Sequence, residues 1–389
     1  AWCYNSSEER LKGALLTCIS TYNQEVERYK NEPNTYRLLL DNRLIKWDVS
    51  TKNGLPKGKK ADAYSQSCVR LSSYRPFFVQ KLYFCKFWIN SIYQTPQLFP
   101  TPSTENLAIC VTGVGAKEFS CLMVDQIPCL DFVEKSQCFP RYIYKPTEEA
   151  SEGREDDLFT AEENKKSSAG FVREDAITDE ALKHFQEVHP NILITKDDLF
   201  YYIYGILHSP DYRTKYANNL SKELPRIPRV ATFEQFKAFS EAGRKLADLH
   251  VNFEKQLPYA GVDIHMKPGA TFRVEQMRWG KNAGKTGNAA KDKTRLIYNS
   301  DITIENIPLE AQEYVVNKKS ALDWIVERCC VKVDKDSGIV NDFNKYGEEK
   351  GDPTYPYDLF LKVITVSLET MKIVKALPTL VIYPLDREG

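Results

Sequence analysis

Thr271-Phe272-Arg273-Val274-Glu275-Gln276-Met277-Arg278 and Thr294-Arg295-Leu296-Ile297-Tyr298 flank a loop of Gly, Asn and Lys residues. Two runs rich in β-branched and aromatic side chains about a turn-prone loop predict a β-hairpin over about 270–299. The hairpin interrupts a C-terminal half with helical apolar spacing, so the chain reads as α+β. A second strand-rich segment runs from about 68 to 145, with short runs at 69–74, 107–112, 119–124 and 139–144 broken by Pro and Gly. Several amphipathic helices are expected to pack with these strands.

Working outward, Ser6-Ser7 caps a helix whose Leu11, Ala14, Leu15, Cys18, Ile19, Tyr22, Val26 and Tyr29 keep helical spacing to Lys30. Its apolar stripe needs a surface to cover it. Asn53-Gly54 and the lysines around it predict a polar loop. Asp197 opens an apolar helix that Ser209-Pro210 stops and restarts, Ser as N-cap and Pro as first helical residue. Thr232 and Gln235 form a capping-box pattern before another long amphipathic helix. Further helices are expected at about 309–316, 320–330 and 357–377. The organisation that follows is a helix and connector at 1–50, a strand-rich part at 51–146, an acidic mobile linker at 147–175, and a helical part at 176–389 holding the inserted hairpin 267–299.

Composition sets the class. The 389 residues are 42% hydrophobic, 27% charged and 12% aromatic, a balance expected of an ordinary globular protein rather than a disordered one. No apolar run approaches the roughly 20 residues that span a bilayer. The start, Ala1-Trp2-Cys3-Tyr4, reads as a piece cut from a longer protein. Ten cysteines include no CxxC pair and the five histidines have no ligand spacing, so buried reduced thiols are expected and no metal site.

Catalytic motifs fail when tested. Gly280-Lys281-Asn282-Ala283-Gly284-Lys285-Thr286 has three residues where a phosphate-binding loop has four, and no helix follows it. Gly113-Val114-Gly115 lacks the third glycine of a dinucleotide fingerprint. Asp352-Pro353-Thr354-Tyr355 approaches the tetrapeptide of amino-methyltransferases but reads as a helix start. Glu348-Glu349-Lys350 has a nuclease-like shape without a strand to carry it. No catalytic residue is assigned.

Local charge remains. Formal charge is zero, 53 cationic against 53 acidic residues. From Lys267 to Arg295, however, eight basic residues face Glu275 and Asp292, and 147–163 carries eight acids against Arg154. A two-stranded ribbon fits the major groove, Arg pairs with guanine and Asn with adenine, and Lys neutralises phosphate. The base-reading candidates are Arg273, Arg278, Asn282, Asn288 and Arg295. The phosphate candidates are Lys267, Lys281, Lys285, Lys291 and Lys293, joined by Lys57, Lys59, Lys60 and Arg75 from a second basic strip at 52–86 interleaved with aromatics. Thr286 and Trp279 complete the hairpin's equipment. The bland alternative is a solvated loop.

Several stretches resemble one family: Tyr22-Asn23-Gln24-Glu25-Val26-Glu27-Arg28-Tyr29, Tyr74-Arg75-Pro76-Phe77, Gln137-Cys138-Phe139-Pro140 and Tyr202-Ile203-Tyr204-Gly205-Ile206-Leu207-His208-Ser209-Pro210. They continue with Glu223-Leu224-Pro225-Arg226-Ile227-Pro228, Asp334-Lys335-Asp336-Ser337-Gly338-Ile339-Val340-Asn341-Asp342 and Val363-Ile364-Thr365-Val366-Ser367-Leu368-Glu369-Thr370. Together they resemble the C-terminal specificity region of Type ISP restriction-modification enzymes. The resemblance implies a bacterial, cytoplasmic parent with a nuclease, an ATP-driven translocase using Mg²⁺, and an N6-adenine methyltransferase using S-adenosylmethionine. In that setting this chain binds none of those cofactors. It is a target recognition module for double-stranded DNA, beside the methyltransferase and translocase of the same polypeptide, and the first helix would pack on the methyltransferase. A structural coupling module that does not read DNA is the competing class. A metal-dependent hydrolase, which would need a carboxylate cluster, is a third.

Overall fold

The computed structural model describes residues 2–147 and 170–383. The acidic stretch therefore lies outside the described residues from 148 onward. Helices of eight or more residues among those described are α1 (Glu8–Asn31), α2 (Asp179–Gln186), α3 (Lys196–His208), α4 (Phe233–Val251), α5 (Ala321–Arg328) and α6 (Tyr355–Lys375). The strands are β1 (Tyr4–Asn5), β2 (Val69–Arg75), β3 (Phe78–Tyr83), β4 (Ala108–Val111), β5 (Cys121–Val124), β6 (Ile127–Pro128), β7 (Gln137–Pro140), β8 (Tyr142–Pro146) and β9 (Phe171–Asp175). They continue with β10 (Asp263–Met266), β11 (Arg278–Lys281), β12 (Lys291–Ile297), β13 (Ile302–Glu305), β14 (Val315–Val316), β15 (Lys319–Ser320), β16 (Val331–Val333) and β17 (Val340–Asp342). The fold is α+β, with two four-stranded sheets, β1-β3-β2-β6 and β10-β13-β12-β11, and a central β5-β4-β7 sheet.

Strands β4 and β5 of the central sheet are buried on both faces, which is why Leu107 to Val111 reads as a continuous apolar run rather than an alternation. Ala108, Cys110, Leu122 and Val124 face a large core shared with both four-stranded sheets, α5 and α6. Ile109, Val111, Cys121 and Met123 face a second core built from α3 and α4. Those two helices meet backbone to backbone: a Cβ added at Gly205 would lie 2.1 Å from the Phe239 carbonyl oxygen, and one at Gly243 1.9 Å from that of Tyr201. Only glycine permits this crossing.

Capping residues set the helix ends largely as read. Ser7 accepts from the Arg10 N–H, Ser209 from Tyr212 and Thr232 from Gln235. The Gln235 side chain does not close the box but donates to the Thr379 carbonyl at 2.8 Å. The helix expected at Asp197 starts at Lys196, because Thr195 and Asp198 cap it reciprocally.

Other expectations need correction. The α1 stripe is covered within the chain: Leu11 and Leu15 pack with Cys68 and Tyr83, while Cys18, Tyr22 and Val26 pack with Ile45, Leu55 and Ala61. The polar loop near Asn53 is the short helix Val49–Gly54, because Asp48 and Thr51 form a capping box. The expected linker 147–175 ends in strand β9, which pairs with β8 from Pro146↔Phe171 to Tyr142↔Asp175. The hairpin's first arm is shorter than read. Residues 271–274 bond instead with side chains, Asn344 both donating to and accepting from Val274 and Asn299 donating to Thr271 and Arg273 carbonyls, while Glu275 and Gln276 make an isolated backbone bridge to Cys330 and Val331. Finally, 309–316 is a single 3-10 turn, Leu309–Gln312, followed by the tight β14–β15 hairpin. Asn317 and Lys318 adopt left-handed φ of 49° and 65°, the geometry of a two-residue hairpin turn that a helix cannot contain. No helix among the described residues is long and apolar enough to cross a membrane.

Candidate nucleic-acid interface

The basic ribbon is one wall of a cleft of about 950 Å³. β11 and β12 pair antiparallel, with a bulge between Trp279 and Gly280 that bends the strand and increases its local twist. The β14–β15 turn and α5 supply the opposite wall. Seven cations, Arg278, Lys281, Lys285, Lys291, Lys293, Lys318 and Lys319, line it against two carboxylates, Asp323 and Glu327.

Both carboxylates are committed. Asp323 pairs with Lys293 and accepts from the Trp279 indole at 2.8 Å, and Glu327 pairs with Lys319. Burial opposes the Asp323 carboxylate, but Lys293, Trp279 and Ser320 outweigh it and its pKa lies below the ordinary value. Burial also lowers the Lys293 ammonium despite that pair, and the ammonium sits 4.5 Å over the Trp279 ring. The Lys293 and Asp323 side chains are 23% and 28% exposed, so the pair is partly buried within the cleft lining. Lys281, Lys285, Lys291 and Lys318 are exposed and have no carboxylate partner among the described residues. Among the described residues the Arg278 guanidinium bonds the neutral Gln276 amide, at 3.2 Å, and no carboxylate. Four ammoniums without a carboxylate partner among the described residues and one lightly held guanidinium around one concavity leave donors free for an anion.

The other sequence candidates fall outside this cleft. Arg273 bridges Asp342 at 2.9 Å and Glu275 at 3.0 Å, tying the irregular arm to β17. Arg295 pairs with Glu305 on the neighbouring strand at 2.9 Å. Lys267 donates to the Ser300 carbonyl at 2.6 Å. Asn282 donates to the Lys291 carbonyl at 3.2 Å and thereby shapes the loop, and Asn288 belongs to the turn Gly287–Ala290. Trp279, counted with the hairpin's DNA-reading side chains, does line the cleft but is buried, with its ring against Phe360. In the second strip, Lys57 and Lys59 are exposed, Lys60 pairs with Glu27 at 2.9 Å, and Arg75 lies over Tyr74 and donates to its carbonyl and to Cys129. Phe77, Phe78 and Tyr83 of that strip are core, and none of its residues lines the cleft.

Sequence reading missed Lys318 and Lys319. The signal was the order Val315-Val316-Asn317-Lys318-Lys319-Ser320, two short runs about an Asn that favours left-handed backbone. The rejected motifs resolve structurally. Glu349 accepts the Glu8 N–H at 2.9 Å and so caps α1, and Thr354 bonds Asp352 at the start of α6. No group of three or more His, Cys, Asp or Glu that could hold a metal occurs among the described residues.

A ribbon-walled basic cleft on an α+β scaffold is the arrangement expected of a module that recognises a polyanion. The chain belongs to the Type ISP C-terminal specificity domain family, whose model matches residues 1–359, and a specificity domain is not the catalytic part of such an enzyme. Its fold matches a nuclease-deletion mutant of the Type ISP restriction-modification enzyme LlaGI in complex with a DNA substrate mimic, with a TM-score of 0.80 and 32% identity over 98% of this chain and 32% of that one. The ATP-dependent Type ISP enzyme LlaBIII bound to DNA matches with a TM-score of 0.80 and 31% identity, over 98% of this chain and 22% of that one. A DrdV–DNA complex matches with a TM-score of 0.79 and 29% identity, over 98% and 35%. The chain thus spans about a third or less of the first two proteins. No curated relative matches it.

Proposed function

We propose that this chain reads a short sequence in double-stranded DNA for a Type ISP restriction-modification polypeptide, with the β11–β12 ribbon in the major groove. The observation that carries the reading is the concentration of unpaired Lys281, Lys285, Lys291 and Lys318 around one cleft whose carboxylates are already neutralised. The lysines hold phosphates and set register. Arg278 faces base edges, and loop residues Asn282 and Asn288 are the further base-reading candidates. Arg273, Arg295 and Lys267 mainly hold the ribbon, because each is engaged by its own fold.

In the parent, the upstream methyltransferase would receive the flipped adenine from DNA gripped here, and an unmodified site would release translocation and cleavage. ATP, Mg²⁺ and S-adenosylmethionine belong to those other domains, and the setting is the bacterial cytoplasm. The test is binding of this chain to the parent's methylation site and to scrambled duplex over a salt series. A site preference and a steep fall with salt are expected. Arg278→Ala should lose about 1–3 kcal/mol of discrimination if it pairs with guanine, and Lys291→Ala should weaken both duplexes alike. Equal affinity for site and scramble, or no binding, refutes the reading and favours a coupling role.

A further inference from the structure

We propose that Cys110 and Cys138 are an oxidative modification site that closes a reversible disulfide between the central strand β4 and its neighbour β7. The proposal is independent of DNA reading. The two residues are direct register partners. The Arg141 N–H donates to the Leu107 carbonyl at 2.8 Å, which makes that rung hydrogen-bonded. Rungs alternate, so Ile109↔Phe139 is also bonded, whereas Ala108↔Pro140 and Cys110↔Cys138 are not. Pro140, which has no N–H to give, occupies one of the rungs that needs none. Non-hydrogen-bonded partners have Cα atoms about 4.5 Å apart, within the range a disulfide bridges.

The sulfurs are already 3.1 Å apart, so closure to about 2.05 Å needs side-chain rotation rather than strand movement. Accessibility sets the order of events. Cys110 is fully buried, whereas Cys138 is half-buried on the outer strand and open to a small oxidant. With hydrogen peroxide as oxidant, the Cys138 sulfur attacks one peroxide oxygen, the O–O bond breaks, and the thiol proton leaves with the departing hydroxide as water. The Cys110 sulfur then attacks the resulting Cys138 sulfenic acid. The S–O bond breaks and the second thiol proton leaves with that hydroxide as a second water, so two thiols and one peroxide become one disulfide and two waters.

The experiment treats the full folded chain with hydrogen peroxide, alkylates remaining thiols under denaturing conditions, and maps the peptides by mass spectrometry. The expected product is a Cys110–Cys138 cross-link about 2 Da lighter than its two reduced peptides, abolished by dithiothreitol. Because the bond closes a loop between residues 28 apart, the oxidised chain should also unfold at a higher urea midpoint. Recovery of Cys138 as sulfinic acid with Cys110 still alkylatable, or a cross-link of either residue to another cysteine, overturns the proposal. In Cys138→Ser, at the more accessible position, Cys110 should stay fully alkylatable after peroxide. Its loss there would show a different chemistry and overturn the pairing.

Discussion

Mild acid should destabilise this fold through two histidines at the contact between its cores. His208 and His250 are buried, with ring centroids 5.5 Å apart. The Tyr204 hydroxyl accepts from the Met123 N–H at 2.9 Å and lies 2.6 Å from His250 Nδ1, so the phenol proton goes to Nδ1 and His250 carries its own proton on Nε2, donated to Thr370 at 2.9 Å. His208 Nδ1 donates to the Tyr204 carbonyl at 2.9 Å. Tyr314 stacks on His250 at 5.2 Å, and Cys121 and Arg213 lie beside His208. No carboxylate is among these partners. Burial, reinforced by Arg213, lowers His208 from 6.5 to about 3, and burial lowers His250 well below 6.5.

The sign follows directly. The unfolded chain binds these protons near pH 6.5 and the folded chain does not, so the stability held above that pH is lost as pH falls toward the folded values. Between about pH 7.5 and about pH 5 the loss is about 2 kcal/mol for His208, and His250 adds a loss of the same sign. That is a large share of the stability of an ordinary domain. Urea unfolding at several pH values across this interval measures it, above the range where most carboxylates titrate. His250→Gln, which can still bond Tyr204 and Thr370, should reduce the dependence. Stability that is flat across the interval, or a variant with the full dependence, refutes the reasoning.

In the cleft, Lys318→Glu should weaken DNA binding and Lys318→Ala should flatten the slope of log affinity against log salt by about 0.9 if one phosphate contact is lost; an unchanged slope on titration would place Lys318 off the DNA. Gly243→Ala should destabilise the chain by about 1–3 kcal/mol by thermal or urea unfolding, because the added Cβ meets a backbone oxygen that cannot rotate away. Arg273→Ala should cost about 1–3 kcal/mol of stability by leaving the buried Asp342 short of a partner. At temperatures where the variant remains folded it should keep its site preference in a binding assay, which separates a bracing residue from a reading one.

Local signals were legible wherever one short stretch decides its own structure. Ser7, Ser209 and Thr232 end or begin helices because their hydroxyls satisfy nearby N–H groups, and that chemistry is complete within four residues. The ribbon was likewise legible from its β-rich flanks. Where a distant partner competes for the backbone, reading failed. Residues 271–277 look like strand, yet Asn344, some 70 positions away, takes the Val274 backbone bonds. Residues 309–316 have helical spacing, yet left-handed Asn317 and Lys318 fold the segment into a hairpin.

Charge divides the same way. The sequence by itself determined that basic residues concentrate at 267–295, and its ordered segments from Tyr22 to Thr370 carried the resemblance to the recognition family. It could not distinguish cations that serve a partner from cations that serve the fold, since both are the same side chains at the same density. Only the tertiary structure decided that Arg273, Arg295 and Lys293 are spent on Asp342, Glu305 and Asp323, and that Lys318 joins Lys281, Lys285 and Lys291 around one cleft. The physical reason is that an ammonium's availability depends on which carboxylates come within a few ångströms of it, and chain folding sets those distances across tens of residues of sequence.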